Sequence, residues 1–147
     1  MSSKDRIIIG SDHAAFMLKE LIKKHIEGPG CEIYDAGCYN EESCDYPMIG
    51  HDVARRVEQE KCRGILMCGT GLGMSIVANR RLGIRAALCH NEYIAEMSKR
   101  HNDANILVLG SRIVDESMAL KIVDIWLNTQ FEGGRHQRRL DLIDKLE

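Results

Sequence analysis

The sequence of 147 residues lacks three features that would each point to a function class. It has no apolar run near the roughly 20 residues that a membrane span needs. Its net charge is only −2, which gives no reason to expect nucleic acid or an anionic membrane as a partner. It has no linker, internal repeat or low-complexity tract. With 44% hydrophobic and 29% charged residues, we expect residues 1–147 to form one globular domain.

Cysteine is present, but not in a pattern that is typical of zinc binding or redox chemistry. None of the cysteines belongs to a C-x-x-C pair, and a polar amino terminus that leads into a short strand is unlike a signal peptide. We therefore expect a cytoplasmic protein with reduced thiols. Most of these thiols are typical of small core residues, and only Cys68 has a different setting. The six are Cys31, Cys38, Cys44, Cys62, Cys68 and Cys89.

Hydrophobic periodicity predicts five strands that alternate with helices. The predicted strands are short apolar runs at residues 6–10, 31–36, 65–68, 84–89 and 104–110. The predicted helices end near Glu27, begin at Asp45, and cover residues 73–80, 91–100, 115–128 and 135–145. In the helix over 91–100, the spacing places Ile94 and Met97 on the buried face.

Continuous apolar strands separated by helices are typical of a parallel sheet that is covered on both faces. The predicted fold is a three-layer, doubly wound (Rossmann-like) α/β domain with a five-stranded parallel sheet and an extra C-terminal helix. If the strand order is the common 2-1-3-4-5, strands one and three flank the point where ligands bind. Asp12 and His13, which follow strand one, would then lie beside the loop after Cys68.

The loop Cys68-Gly69-Thr70-Gly71-Leu72-Gly73 is the strongest local signal. Glycines at a helix N-terminus leave backbone N–H groups open to a phosphate or a developing oxyanion. A thiol in that position can have a pKa well below about 8.5 and act as a base or nucleophile. The spacing is not the G-x-G-x-x-G of dinucleotide sites, and the lysine of a P-loop is missing. A tight turn alone needs fewer glycines, so an anion site is favoured.

Other polar groups give weaker signals that each have a structural alternative. Asp12 is a good helix N-cap, and a histidine at a helix end, such as His101, usually complements the helix dipole. Arg135 and Arg139 are four residues apart and could clamp a phosphate, or could belong to a solvated basic face. We interpret the remaining histidines, His136 among them, as surface or partly buried residues. No His, Cys and carboxylate set has the spacing of metal ligands, so we expect neither a metal nor a cofactor.

Taken together, the motifs resemble type B ribose-5-phosphate isomerase, of the ribose/galactose-isomerase family. The matching segments run in the family's order along nearly the whole chain. They are Gly10-Ser11-Asp12-His13, Asp45-Tyr46-Pro47, the Cys68–Gly73 loop, His101-Asn102-Asp103-Ala104-Asn105, Gly110-Ser111-Arg112 and Glu132-Gly133-Gly134-Arg135-His136-Gln137-x-Arg139.

The resemblance implies an interconversion of ribose 5-phosphate and ribulose 5-phosphate, without metal or coenzyme, by a homodimer or a pair of dimers. It implies that Cys68 is the base that moves a proton between C1 and C2. Some family members use a glutamate further along the loop instead, but position 75 here is Ser75. Ring opening is implied for His101, with Asp12 and Thr70 nearby. The implied substrate contacts are backbone groups of Gly69, Gly71, Leu72 and Gly73 for the enediolate, His13, Arg112, Arg135 and Arg139 for phosphate, and Tyr46 and Asn102 for the sugar.

Two other functions stay open at this point. Relatives in the family isomerise six-carbon sugar phosphates such as allose 6-phosphate or galactose 6-phosphate. These substrates are one carbon longer than ribose 5-phosphate, so their pocket differs only in length by one carbon. A nucleotide-binding domain without catalysis is the other, although it leaves Cys68, His101 and the arginine pair unexplained.

The resemblance implies that Cys68, Asp12, His101, Arg135 and Arg139 belong to one site, but the predicted topology separates them within one chain. Cys68 and Asp12 follow strands, whereas His101, Arg135 and Arg139 follow helices that return to the opposite edge of the sheet. A five-residue strand spans about 17 Å, which is too far for a side chain to cross. We therefore expect a two-fold dimer in which each site takes residues from both chains.

Overall fold

A computed structural model describes residues 5–146, and it contains a five-stranded parallel sheet between two layers of helices. Residues 1–4, on which the interpretation of the amino terminus partly depends, lie outside the described residues, as does Glu147. The strands are β1 (Asp5–Ser11), β2 (Cys31–Asp35), β3 (Arg63–Cys68), β4 (Ala86–Leu88) and β5 (Ile106–Gly110). The helices are α1 (Phe16–Ile26), α2 (Tyr46–Glu60), α3 (Leu72–Asn79), α4 (Glu92–Arg100), α5 (Glu116–Asn128) and α6 (Arg135–Asp144).

The sheet is parallel throughout, as predicted, but its strand order is β2-β1-β3-β5-β4. The expected order 2-1-3-4-5 is therefore wrong for the last two strands. β5 pairs with β3, with Gly64 opposite Ile106 and Cys68 opposite Gly110. β4 has only three residues and pairs with β5 from the outside. The fully buried β5 fits an inner position, and the short, partly exposed β4 fits an edge.

Alternation along the strands divides the core into two parts, one on each face of the sheet. On one face, Ile7 and Ile9 of β1 belong to the core that includes Ile22 of α1 and Trp126 of α5. On the other face, Ile8 belongs to a second core, which contains Val53 and Val57 of α2, Leu66 of β3, and Met74 and Ala78 of α3. The three-layer, doubly wound prediction is confirmed.

Helix α4 buries a different face from the predicted one. Ile94 is 40% exposed, whereas Ala95, Ser98 and Lys99 are buried. The side chain of Asn91 accepts a hydrogen bond from the Ile94 N–H and so fixes where the helix begins. Lys99 can be buried because its ammonium donates to the Ala104 carbonyl at 2.9 Å and lies over the Trp126 ring.

None of the helices within residues 5–146 has both the length and the hydrophobicity that crossing a membrane would require.

Candidate active site

Cys68 ends β3 at the carboxyl edge of the sheet, and its side chain is buried. The Gly71 N–H donates to Cys68 Sγ at 3.2 Å, so the thiol lies at the start of α3, where Gly71 is the N-cap. The first N–H groups of a helix have no partner inside the helix, and the Leu72 N–H donates to Thr70 Oγ1 at 3.2 Å. The Cys68 sulfur and the backbone N–H groups at the start of α3 therefore lie in the same loop.

The glycines of this loop allow contacts that a side chain would block. A Cβ at Gly73 would lie 2.5 Å from the ring of Tyr46, and one at Gly69 would lie 2.9 Å from the Arg112 guanidinium. Gly71 has φ of +82°, a conformation that favours glycine. The glycines thus bring Tyr46 and Arg112 directly against the backbone near Cys68.

The loop after β5 fixes the loop after β3 from the other side. The Ser111 N–H donates to the Cys68 carbonyl and the Arg112 N–H donates to the Gly69 carbonyl, both at 2.9 Å. A Cβ at Gly110 would lie 2.5 Å from the Thr70 carbonyl oxygen. This contact exists because β5, and not β4, is the neighbour of β3.

Asp12 and His13 lie on the same edge, as predicted from their position after β1. The Asp12 N–H donates to the Met67 carbonyl at 3.2 Å, and the buried Asp12 carboxylate accepts the Ala15 N–H at 3.1 Å. Asp12 is therefore both an N-cap and a neighbour of the Cys68 strand. His13 Nδ1 accepts the Cys44 N–H at 3.3 Å, so in a neutral ring the proton is on Nε2.

A second cluster lies at the amino edge, where α4 ends and α6 begins. The rings of His101 and His136 are stacked, with centroids 4.2 Å apart and planes inclined by 14°. Their Nε2 atoms lie 3.8 and 3.7 Å from the same Glu132 oxygen. The other Glu132 oxygen accepts from Arg100 Nε at 2.9 Å. The predicted topology placed His101 and Arg135 at the same edge of the sheet, and the stacked rings bring the end of α4 against the start of α6.

Electrostatics in this second cluster favour the charged form of Glu132 and the neutral form of His136. The hydrogen bond from Arg100 is the main cause that lowers the pKa of Glu132. Burial, with the nearby His101 and Arg135, lowers the pKa of His136. A neutral ring that stacks on His101 and faces a carboxylate can orient His101 without adding a positive charge beside it.

The expectation that the sequence holds no convergent set of metal ligands is wrong. Within residues 5–146, His101, Glu132 and His136 form one set whose donor atoms all lie within 4.8 Å of one another. His136 is only 8% exposed, so it is more buried than the surface or partly buried residue that was expected. Sequence reasoning missed Glu132 and His136 because a glycine pair separates the glutamate from its helix. The signals for this pair were their separation of four residues and their place in the family-like segment over residues 132–139.

The two clusters lie at opposite edges of the same sheet. Asn105, four residues after His101, accepts the Gly64 N–H at the start of β3, whereas Cys68 ends that strand. Asn102 is at this amino edge too, where its carbonyl accepts from Arg85 Nε at 3.1 Å. The four steps from Ile106 to Gly110 span about 13 Å at about 3.3 Å per residue. Within one chain, Cys68 and His101 are thus separated by the length of a strand.

The arginines at the carboxyl edge and on α6 are open to solvent. Arg112, Arg135 and Arg139 are exposed. Among the described residues, none of the three forms an ion pair within 4.0 Å, although most other arginines do. Unpaired guanidiniums are suited to a phosphate dianion.

Comparison with known proteins shows that the chain belongs to the family described as Ribose/Galactose Isomerase, which it matches over residues 7–143. It is 46% identical over 143 residues to the ribose-5-phosphate isomerase B of Escherichia coli, covering 97% of this chain and 96% of that one.

The fold of this chain is closely similar to solved structures of related proteins. The ribose-5-phosphate isomerase B of Clostridium thermocellum is 51% identical, with a TM-score of 0.93 and 95% of each chain covered. The one from Mycoplasma genitalium, solved with bound ribulose 5-phosphate, is 40% identical with a TM-score of 0.93, and covers 98% of this chain and 97% of that one.

Proposed function

We propose that this protein interconverts ribose 5-phosphate and ribulose 5-phosphate by proton transfer through an enediolate, in the non-oxidative pentose phosphate pathway. The observation that carries the proposal is the Cys68 thiol at the start of α3, hydrogen-bonded by the Gly71 N–H. Aldose–ketose exchange needs one base and an oxyanion hole, and the thiol and backbone N–H groups of this loop are the kinds of group that can provide them. Relatives with this name, one of them solved with ribulose 5-phosphate, support the choice of substrate.

In the proposed mechanism, Cys68 takes a proton from one of the carbons C1 and C2 and returns it to the other. Backbone N–H groups of the Gly69–Gly73 loop hold the enediolate oxygens, where negative charge develops. His101 opens the sugar ring, assisted by Asp12 and Thr70. Neither metal nor cofactor has a role in these steps.

The rest of the substrate is held by polar and charged groups outside the reacting centre. Arg135, Arg139 and His13 bind the phosphate with Arg112 assisting, and Tyr46 and Asn102 contact the sugar. Binding the phosphate in this way orients the reacting carbons, because its binding energy comes from groups that do not react.

The proposed active form is a homodimer whose sites are shared between chains, with a pair of dimers as the larger alternative. The strand length that separates Cys68 from His101 supports sharing, since a second chain can bring its own amino-edge cluster to the first chain's carboxyl edge. An exposed apolar face beside Cys68 fits a second copy. Leu72 and Ile76, one turn apart on α3, are 58% and 65% exposed, and Met48 in the first turn of α2 is 70% exposed.

The proposed location is the cytoplasm. The six free cysteines fit a reducing compartment, and a sugar-phosphate substrate fits central metabolism.

Incubating the protein with ribose 5-phosphate and measuring ketose formation tests the proposal. Allose 6-phosphate and galactose 6-phosphate, run in parallel, separate a five-carbon from a six-carbon preference. We expect the highest kcat/KM with ribose 5-phosphate. A higher value for a six-carbon substrate would assign that sugar instead, and no turnover of any of the three would overturn the enzymatic proposal.

A further inference from the structure

Lys19 of α1 is a fully buried charged residue that the proposed mechanism does not use. Its ammonium donates to both carboxylate oxygens of Asp35, at 2.6 and 2.7 Å, and to the Cys38 carbonyl. The ammonium also lies 5.4 Å from the ring centroid of Phe16 and 5.4 Å from that of Tyr39. These partners offset the cost of removing the charge from water, because each of its N–H groups has an acceptor.

The contacts of this ammonium join α1 to the chain that follows β2. Asp35 is the last residue of β2, and Cys38 belongs to the β2–α2 loop, which we define as residues 36–45. The Gly37 N–H donates to Asp35 Oδ1 at 2.9 Å, and the Cys38 N–H donates to the Ser11 carbonyl at 2.8 Å. The first residues of the β2–α2 loop are therefore fixed against both β1 and α1.

The far end of the β2–α2 loop meets the candidate active site. The Cys44 N–H donates to His13 Nδ1 at 3.3 Å, and the ring of Tyr46 packs directly on Gly73. Between the two ends, residues 39–43 are exposed. Because the exposed middle of the loop packs little against the fold, its anchored ends decide where it meets the site.

Stabilising the Asp35 carboxylate does not by itself require Lys19. The half-buried Lys23, one turn further along α1, donates to Asp35 Oδ2 at 2.8 Å, so this carboxylate has a second cation. The Cys38 carbonyl has no such second partner, since within residues 5–146 Lys19 is the one donor that reaches it. The contact that distinguishes Lys19 from Lys23 is therefore the one to the loop backbone.

We propose that Lys19 is a positioning residue that, through the β2–α2 loop, holds His13 and Tyr46 in place. It acts on the loop at the Cys38 carbonyl and, being fully buried, does not touch the substrate. The effect on affinity rests on the proposed function, in which His13 binds the phosphate and Tyr46 contacts the sugar. Cys68 is held by β3 and by the start of α3 instead, so the reacting thiol stays in place without Lys19.

Lys19→Met tests the positioning role by nuclear magnetic resonance, without any substrate. Methionine keeps an unbranched apolar side chain and removes the ammonium. In the wild type we expect a neutral His13 ring with its proton on Nε2, and slow hydrogen exchange at the Cys38 amide. In Lys19→Met, exchange at Cys38 should be roughly tenfold faster, the value of one hydrogen bond, and His13 should no longer be a single tautomer. Lys23→Met, which removes the other ammonium from Asp35, is the matched control and should keep both wild-type signals.

Kinetics then connect the loop to substrate binding. Lys19→Met should raise KM for ribose 5-phosphate roughly tenfold and leave kcat nearly unchanged, because it weakens contacts made equally in the ground state and the transition state. Lys23→Met should stay close to the wild type in both constants. Rates are measured well below the Tm of each variant, so that lower stability does not enter. A lower Tm with an unchanged KM and an unchanged His13 tautomer would overturn the proposal and make Lys19 a packing residue.

A wild-type measurement covers the case in which Lys19→Met does not fold. The Lys19 ammonium should give its own resonance signal, with protons that exchange slowly with water, as expected of a buried group whose N–H groups are all bonded. An ammonium that exchanges as fast as those of exposed lysines would overturn the proposal. If the wild type does not turn over ribose 5-phosphate, the proposed function fails, whereas the resonance measurements still decide whether Lys19 positions His13.

Discussion

The environment of Cys68 combines burial with a hydrogen bond from the Gly71 N–H. If the thiolate is the base, Cys68→Ala removes a group that acts in the transition state and adds little to ground-state binding. We expect kcat to fall by roughly 10²–10⁴-fold or more, with sugar-phosphate binding retained by calorimetry. Cys62→Ala, at a half-buried thiol outside the site, is the control and should turn over normally. Near-normal turnover in Cys68→Ala would remove the base from this position.

His136 gives the protein a stability that depends on pH. Its pKa in the folded protein is lowered by burial and by neighbouring cations, so below about pH 6.5 the unfolded chain binds more protons than the folded one. Stability contributed by the neutral ring is therefore present above that pH and is lost as the pH falls. Glu132, whose pKa is also lowered, adds a loss in the same direction at more acidic pH.

Replacing His136 by a side chain that does not titrate should reduce this pH dependence. We expect the drop in Tm between about pH 7.5 and about pH 5 to be smaller in His136→Asn than in the wild type. His25→Asn, at a histidine outside this cluster that pairs with Asp124, should keep the wild-type drop. An unchanged drop in His136→Asn would show that the acid sensitivity arises elsewhere.

At the scale of the element, α6 presents Arg135 and Arg139 one turn apart on an exposed face. Each change to alanine should raise KM for ribose 5-phosphate by roughly 10- to 100-fold, the value of one charge-assisted hydrogen bond. The penalty should nearly vanish with unphosphorylated ribose. Arg138→Ala, on the same helix, is the matched control and should be close to wild type. Equal penalties with both sugars would assign another role to the pair.

The His101, Glu132 and His136 cluster joins the end of α4 to the start of α6 and has the donor atoms of a metal site. The proposed chemistry uses only protein groups, so activity should survive exhaustive chelation with EDTA. The measurement is the rate before and after dialysis against chelator, with zinc or manganese added back. Loss of activity that a divalent ion restores would make this cluster a functional metal centre.

Which elements form was predictable, whereas how they are placed was only partly so. Local periodicity predicts which segments are strands and which are helices. The direction of parallel strands predicts that the residues at the ends of β1 and β3 lie together at the carboxyl edge of the sheet. The position of β5 between β3 and β4 depends on which strand is buried on both faces of the sheet. The buried face of α4 differs from the predicted one by one residue, because Lys99 is buried with its ammonium bonded to the Ala104 carbonyl. The contact between Glu132 and His136 crosses a glycine pair, where periodicity carries no information.

At the scale of the whole molecule, a shared site predicts complementation between two inactive variants. Cys68→Ala and His101→Ala are mixed under conditions that allow the chains to exchange. A mixed dimer then has one site with both changes and one with neither. About a quarter of the wild-type activity should return, because random exchange makes half of the dimers mixed, each with one intact site.

Two controls keep this experiment interpretable. Exchange is demonstrated with differently tagged chains, and each variant alone is incubated under the same conditions. If no activity returns although mixed dimers are present, the complete site lies within one chain. In that case the apolar face of Leu72 and Ile76 needs another explanation.

The inner position of β5 has a consequence for how the protein is synthesised. Ribosomes release the chain in order, so β3 and β4 emerge before the strand that lies between them. Until residues 106–110 have emerged, β4 has no neighbour to pair with, and β3 presents an open edge next to Cys68. A nascent chain that stalls before this point exposes a sheet edge that other chains can pair with.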